Sequence, residues 1–279
     1  AIELAARVLA ELAVVSPGED DPLADPVASA LVAVAAPMVV AADPRMEVAL
    51  SVAEFGTKAR AAAREAAQSG AASQESAAVV AWALARLSRS ADGAALTDRA
   101  IAEGMLREVM RSGGVDGLLS ASPWVVWAAL ELHPEGELPG EVALRDLRSA
   151  TWARQIGDSV AGTGDQDYEG GIVLTAEATP PNAAHTLRAL SALPAMLGDA
   201  RVTPEDEVAA ELARVRRSLR FVLQLMFRDE EAYLARDRDR AIGGVRPALW
   251  EPVASTDATA MGLIVISDTL RAVRARSEQ

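Results

Sequence analysis

The stretch Ile242–Leu270 reads IGGVRPALWEPVASTDATAMGLIVISDTL, and it predicts a glycine turn, a polar loop and then a helix. Gly243-Gly244 can take a positive φ or let another backbone approach closely, which other residues do only at a cost. The segment Ala258–Ile266 has no polar stripe. A helix that is apolar on every side is buried on every side, so we predict an outer layer of helices around it.

Predicted amphipathic and apolar helices alternate along the whole chain that precedes this stretch. The amphipathic helices are predicted near 2–15, 44–69, 97–111, 141–155 and 204–227, and the apolar ones near 27–41, 74–88, 122–132, 181–193 and 256–272. A helix with one apolar stripe can lie outside, whereas one without a polar face must lie inside. The pattern predicts an all-α fold with a single domain over residues 1–279, a two-layer ring or arc of about five helical hairpins. A single-layer bundle is the alternative, because an Ala-rich composition raises apolarity everywhere.

Glycine pairs recur before the predicted inner helices. Each pair comes roughly ten residues before such a helix: Gly113-Gly114-Val115, Gly170-Gly171-Ile172 and Gly243-Gly244-Val245. Connections of this length are common in functional loops. The spacing between the pairs is uneven, so the pattern is a weak internal repeat and not a strict solenoid period.

Composition limits the classes of partner and site. The chain has 279 residues and a net charge of −13, which disfavours nucleic acid and anionic membranes as partners. No apolar run reaches the roughly 20 residues of a transmembrane helix. With no cysteine, disulfides and thiolate zinc sites are excluded. Glu3 and Glu11 interrupt the first apolar stretch and argue against a signal peptide. We expect a soluble protein, favour the cytoplasm, and expect that the chain was trimmed from a longer one.

A family resemblance rests on the last fifth of the chain. Within Leu219–Leu270, the motifs LRFVLQL, GGVRPALW and STDATA resemble the last hairpin of the α/α-toroid superfamily, which includes squalene–hopene cyclases and the β subunits of protein prenyltransferases. Weaker similarity extends to Gly170–Leu193 and Gly113–Leu132. The resemblance implies an (α/α) barrel in which the starts of the inner helices surround a central cavity.

The catalytic motifs of that superfamily are incomplete here. Its cyclases use an Asp-x-Asp-Asp-Thr-Ala acid motif, and Asp257 matches the middle acid without either supporting aspartate. Its prenyltransferases hold zinc with Asp, Cys and His, whereas this chain has no cysteine and only His133 and His185. The resemblance therefore implies a degenerate member, and we expect no metal site and no cofactor.

Polar residues at the starts of two inner helices are candidate site residues. Asp257, beside Thr256, is either an acid facing the cavity or a helix-capping residue, and capping is the commoner role. His185, one turn after Asn182, is either a base or ligand in the cavity or a structural histidine. The structural role is favoured because no second histidine or carboxylate is near it in sequence.

Three tryptophans and an arginine complete the candidates. Trp124 and Trp127 share a helical face and form either an aromatic binding wall or core packing. Trp250 lies in a loop, so it either plugs the end of the cavity or contacts a ligand. Arg246, with the charged run before it, either receives an anion or belongs to a solvated loop.

Two main function hypotheses follow. The first is a non-catalytic binding or interaction module that holds a protein partner or an apolar small molecule at the cavity or rim. The alternative is an enzyme of terpenoid-cyclase type that acts on an apolar isoprenoid substrate with Asp257 as acid. A carbohydrate-active barrel would need Asp116 and Asp257 to face each other across a cleft. If the ring is open, Ile2–Val15 keeps an apolar face to bury, which predicts a preceding domain or a dimer.

Overall fold

Helices make up most of the chain where its structure is described. The computed structural model describes residues 9–10, 21–42, 49–70, 73–90, 93–157, 165–174, 180–231, 233 and 237–277. Their regular structure is helix, with only isolated β-bridges, so the all-α prediction is confirmed. No helix in these ranges has the length and apolarity needed to cross a membrane. Most of the predicted first helix, near 2–15, falls outside them.

Tertiary contacts divide the chain into two compact units, Ala1–Pro139 and Gly140–Gln279. The single domain over residues 1–279 stays a prediction, and each unit is described by itself. The first unit contains α1 (Pro26–Ala42), α2 (Ala49–Ser69), α3 (Gln74–Leu87), α4 (Ala95–Ser112), α5 (Gly114–Ala121) and α6 (Trp124–Leu132).

Helix α3 is the centre of the first unit. It contacts α1, α2, α4, α5 and α6, and Val80, Leu84 and their neighbours are fully buried. The apolar helices α1, α3 and α6 contact one another in series, while α2 packs on α1 and α4 on α3. Ser73 starts α3 because its hydroxyl accepts a hydrogen bond from the amide of Ser76 at 3.2 Å. A Cβ on Gly56 of α2 would lie 2.6 Å from the Cβ of Ala36, so glycine permits the close contact with α1.

The second unit has the same alternation. It contains α7 (Glu141–Trp152), α8 (Ala183–Gly198), α9 (Val208–Leu225) and α10 (Thr256–Ser277), with one helical turn at Arg238–Ala241. Helix α8 is central, because it contacts α7, α9 and α10. Leu187, Leu190, Leu193 and Met196 are buried along its length.

Helix α10 departs from its prediction. Leu263 is 66% exposed, Ile264 40% and Ile266 42%, whereas Gly262 and Val265 are buried. Among the helices described, α8 is the main neighbour of α10, so only one side of it is covered. The prediction that Ala258–Ile266 is buried on every side is therefore wrong.

Two of the three glycine pairs build the same loop. In the first loop, the amide of Ile156 donates to the carbonyl of Gly171 at 2.8 Å, and Gly170 has a φ of 86°. In the second, the amide of Phe227 donates to the carbonyl of Gly244 at 2.9 Å, and Gly243 has a φ of 81°. We call these loops the twin loops. Their positive φ values explain the glycines.

Each twin loop is hydrogen-bonded to the helix that follows it. The amide of Ile172 donates to the hydroxyl of Thr186 on α8 at 3.0 Å, and the amide of Val245 donates to that of Thr259 on α10 at 2.9 Å. Each pair is 14 residues apart. The third pair, Gly113-Gly114, differs, because it leads directly into α5.

Candidate interaction surface on the C-terminal helix

One face of α10 is apolar and open. Leu263, Ile266, Leu270 and Val273 are spaced three, four and three residues apart, and they are 66%, 42%, 54% and 38% exposed. Apolar residues at these intervals form the narrow stripe along which one helix packs against another. We call these four residues the open seam. No charged residue lies within it.

A neighbouring face of the same helix is already packed. Ala258, Gly262, Val265 and Ala272 are buried, and a Cβ on Gly198 of α8 would lie 3.7 Å from the Cβ of Ala272. Helix α10 therefore has two apolar faces, of which α8 covers one.

Hydrogen bonds at both ends hold α10 in this orientation. At its start, Thr259 also donates to the carbonyl of Ser255 at 2.7 Å while it accepts from Val245. Near its end, Arg276 donates to the carbonyls of Leu197 at 2.7 Å and Thr203 at 2.6 Å. These carbonyls lie at and just after the end of α8, where a cation is favourable. Because both ends are fixed, the open seam is a stable surface feature.

The predicted acid is not enclosed. Asp257 and Thr256 are both exposed in the first turn of α10. The hydroxyl of Ser255 accepts a hydrogen bond from the amide of Ala258 at 3.2 Å, so Ser255 provides the side-chain cap. The described residues therefore do not place Asp257 in the enclosed cavity that an acid of the cyclase type would occupy.

Asn182 and His185, the candidates at α8, form the start of that helix. The Oδ1 atom of Asn182 accepts from the amide of His185 at 2.9 Å, so Asn182 is a helix cap. Burial, with a smaller contribution from the charge of Arg188, lowers the pKa of His185 below its ordinary value. The buried Nδ1 of His185 has no hydrogen-bond partner among the described residues. Its neutral form is therefore the one that the fold favours.

Arg246 is part of the fold and does not present a free cation. It is buried, and its guanidinium donates to the carbonyls of Leu225 at 3.3 Å and Gln224 at 2.6 Å. It also lies 3.4 Å from the carboxylate of Glu231 and 5.3 Å from the centre of the Phe227 ring. The arginine thereby stabilises the last carbonyls of α9. Anion binding, which the sequence left open for it, is not supported.

The tryptophans separate into two groups. Trp124 and Trp127 come together with Trp82 of α3, with ring centres 5.1 to 5.8 Å apart. All three rings are half-buried, which fits packing of α6 on α3. Trp250 is 56% exposed in the turn before α10, so it does not plug a cavity. Sequence reasoning missed Trp82, because no spacing rule connects residues on two different helices.

Comparisons of the chain with protein-family models, with curated proteins and with solved structures find no match. Within the described ranges, no three His, Asp or Glu side chains lie close enough together to hold a metal ion. The open seam and the residues that orient it form the candidate functional site of the second unit.

Proposed function

We propose that this chain is a non-catalytic interaction module of the α/α-toroid kind, and that its partner lies along the open seam of α10. The observation that carries the proposal is the contrast between the two apolar faces of α10. One face is packed against α8, and the other has no covering helix among the described residues. Exposed apolar rows of this kind mark interaction sites.

Helix contacts within each unit support the toroid as the underlying arrangement. In the first unit the apolar helices α1, α3 and α6 are neighbours in series, and in the second α8 and α10 are neighbours. In a ring or arc of hairpins, each apolar helix has a further apolar helix on either side. Helix α10 has such a neighbour on one side, so its open seam is where the next apolar helix would pack.

The partner that fits the seam is a second copy of the chain. An antiparallel pair of α10 helices brings each open seam against itself, which is the self-complementary geometry of a two-fold dimer. The seam contains only Leu, Ile and Val, so no charge has to be desolvated in that contact. Covering it gains roughly 25 cal/mol for each Å² of apolar surface removed from water.

The alternative of a terpenoid-cyclase-type enzyme has no supporting observation around its acid. Asp257 is exposed and has no apolar enclosure. Trp250 is also exposed, so it does not line the pocket that this alternative needs for an isoprenoid substrate. We therefore propose the binding role alone.

Two neighbouring isoleucines test the proposal. Ile266 belongs to the open seam, whereas Ile264 points away from it, and the two are 42% and 40% exposed. We expect the wild type to form a dimer as concentration rises in sedimentation-velocity runs, Ile266→Glu to stay monomeric, and Ile264→Glu to dimerise as the wild type does. Circular dichroism should show the same helix content in all three.

A labelled peptide with the sequence of Thr256–Ser277 provides a second measurement. It should bind the wild type and the Ile264→Glu variant, and it should bind Ile266→Glu at least tenfold more weakly. A wild type that stays monomeric and does not bind the peptide would overturn the proposal, as would equal behaviour of the two isoleucine variants.

A further inference from the structure

The first unit contains a cavity that none of the sequence-predicted site residues lines. It lies between the end of α2, the start of α3 and the length of α4, and its volume is about 570 Å³. Its wall on α4 runs from Ala100 to Ser112, about 18 Å at 1.5 Å per helical residue. Its side along Ala100, Gly104, Glu108 and Ser112 is exposed, so the cavity is a groove that opens to solvent. Its volume lies within the roughly 300–1,000 Å³ of sites that hold small molecules.

The lining is mostly apolar and is built from small side chains. It includes Ala66, Ala67, Ala77, Ile101, Gly104 and Met105. Ile101 and Met105 are only half-buried, because the alanines of α2 and α3 opposite them leave space. The empty volume is therefore a direct result of small residues at positions where larger apolar ones would close the gap.

Gly104 has no structural reason to be glycine. It lies inside α4, where glycine destabilises a helix relative to alanine, and its φ is not positive. A Cβ at Gly104 would meet no atom within 4 Å, in contrast to Gly56, where a Cβ would meet Ala36 at 2.6 Å. The close packing that explains Gly56 does not explain Gly104. What Gly104 does provide is an open cavity wall.

The walls are fixed at both ends, so the cavity is preformed. Asp98 is fully buried and accepts from the Nε atoms of Arg60 at 2.7 Å and Arg64 at 2.5 Å, which joins α2 to α4. Toward the other end, the Nε2 atom of Gln74 donates to the carbonyl of Val109 at 3.1 Å and joins α3 to α4. Helices held in this way cannot move together easily to fill the space.

The polar groups of the lining determine the ligand class. They are the uncharged side chains of Gln68, Gln74 and Ser112, and the carboxylate of Glu108, which is paired with Arg111 at 2.7 Å. A neutral hydroxyl group can hydrogen-bond to such side chains, whereas a carboxylate ligand would lie beside Glu108. The remaining lining suits an aliphatic chain.

We infer that this cavity binds a small, largely aliphatic molecule that carries an uncharged polar group. The site belongs to the first unit, so it does not depend on the open seam of α10. Binding places the aliphatic part along Ala77, Ile101 and Met105 and the polar end near Gln74 and Ser112.

Straight-chain alcohols are the probes that test this inference. Isothermal titration calorimetry with 1-hexanol, 1-heptanol and 1-octanol should give saturable binding to the wild type, about fourfold tighter for each added methylene, the factor that corresponds to its transfer from water. Octanoate should bind at least tenfold more weakly than 1-octanol.

Two substitutions at Gly104 distinguish filling of the cavity from other effects of mutation at this position. Gly104→Ala should keep 1-octanol affinity within about twofold and raise the melting temperature by roughly 1–4 °C, because alanine favours the helix. Gly104→Leu should fill the cavity and weaken 1-octanol binding at least tenfold. Ala100→Leu, on the same wall, is a second filling variant if Gly104→Leu does not fold.

Ile266→Glu distinguishes this site from the open seam, since it should leave 1-octanol binding unchanged. Absence of saturable binding to the wild type would overturn the inference. Equal 1-octanol affinity in the wild type and a folded filling variant would do the same. Neither result bears on dimerisation through α10.

Discussion

Helices α8 and α10 begin in the same way but differ in how much of their length is buried. Each follows a twin loop, and each offers a threonine to the amide after its glycine pair, at 3.0 Å and 2.9 Å. Yet Leu190 and Leu193 of α8 are buried, whereas Leu263 and Leu270 of α10 are more than half exposed. The local sequence therefore determines how such a helix begins, while the number of neighbouring helices determines how much of it is covered.

The largest expected difference between the two helices concerns their leucines. Leu193→Ala in α8 should lower the free energy of unfolding by roughly 2–5 kcal/mol, because it leaves a cavity in a packed core. At concentrations where the chain is monomeric, Leu270→Ala in α10 should change it by about 0.5 kcal/mol or less, because that side chain is 54% exposed. Urea unfolding followed by circular dichroism measures both. Similar losses in the monomer would contradict the exposure of α10, whereas a loss for Leu270→Ala that appears only at higher protein concentration would reflect the proposed dimer.

The threonines of the twin loops should give a smaller difference. Thr186→Val leaves the buried amide of Ile172 without its acceptor and should cost roughly 1–3 kcal/mol. Thr259→Val should cost less, because Thr259 is half-buried and water can reach the amide of Val245 more easily. Hydrogen exchange of the two amides is the direct measurement. An unchanged exchange rate at Ile172 would contradict the role given to Thr186.

The smallest expected effect is a loss of stability below about pH 6.5 that His185 gives to α8 and that α10, which contains no histidine, lacks. The pKa of His185 is lowered from 6.5, chiefly by burial, so the unfolded chain takes up a proton first as pH falls. Stability should therefore decrease as pH drops below about 6.5 and level off once the folded protein is also protonated. Thermal melts should show this decrease in the wild type. The His185→Ala variant should lack this decrease. A variant whose stability depends on pH in the same way as that of the wild type would contradict the prediction.

Local features of the second unit were predictable from sequence because they depend on neighbouring residues. The helix that follows Asn182 and the positive φ of Gly243 belong to this group. The exposure of Ile266 was not predictable, because an apolar pattern shows that a face can be buried and does not show that the chain supplies a neighbour. Arg246 was misjudged for a related reason, since the carbonyls that it binds come from a helix more than 20 residues earlier.

The candidate sites were less predictable than the helices. Trp82 joins Trp124 and Trp127 only because α3 packs on α6, and a single sequence carries no signal of that contact. The cavity in the first unit was missed for another reason. It exists because Ala77 and Gly104 have a small side chain or none, and small residues are not distinctive in an Ala-rich sequence. A glycine inside a predicted helix was the one available signal.

The link between each twin loop and its threonine joins residues of one hairpin only. Other hydrogen bonds join the two hairpins, because the hydroxyl of Ser218 on α9 donates to the carbonyl of Gly170 and the amide of Ala183 donates to the carbonyl of Pro247 at 2.8 Å. Removal of the last hairpin would therefore leave the first twin loop and the start of α8 without hydrogen-bond partners that they have in the whole unit.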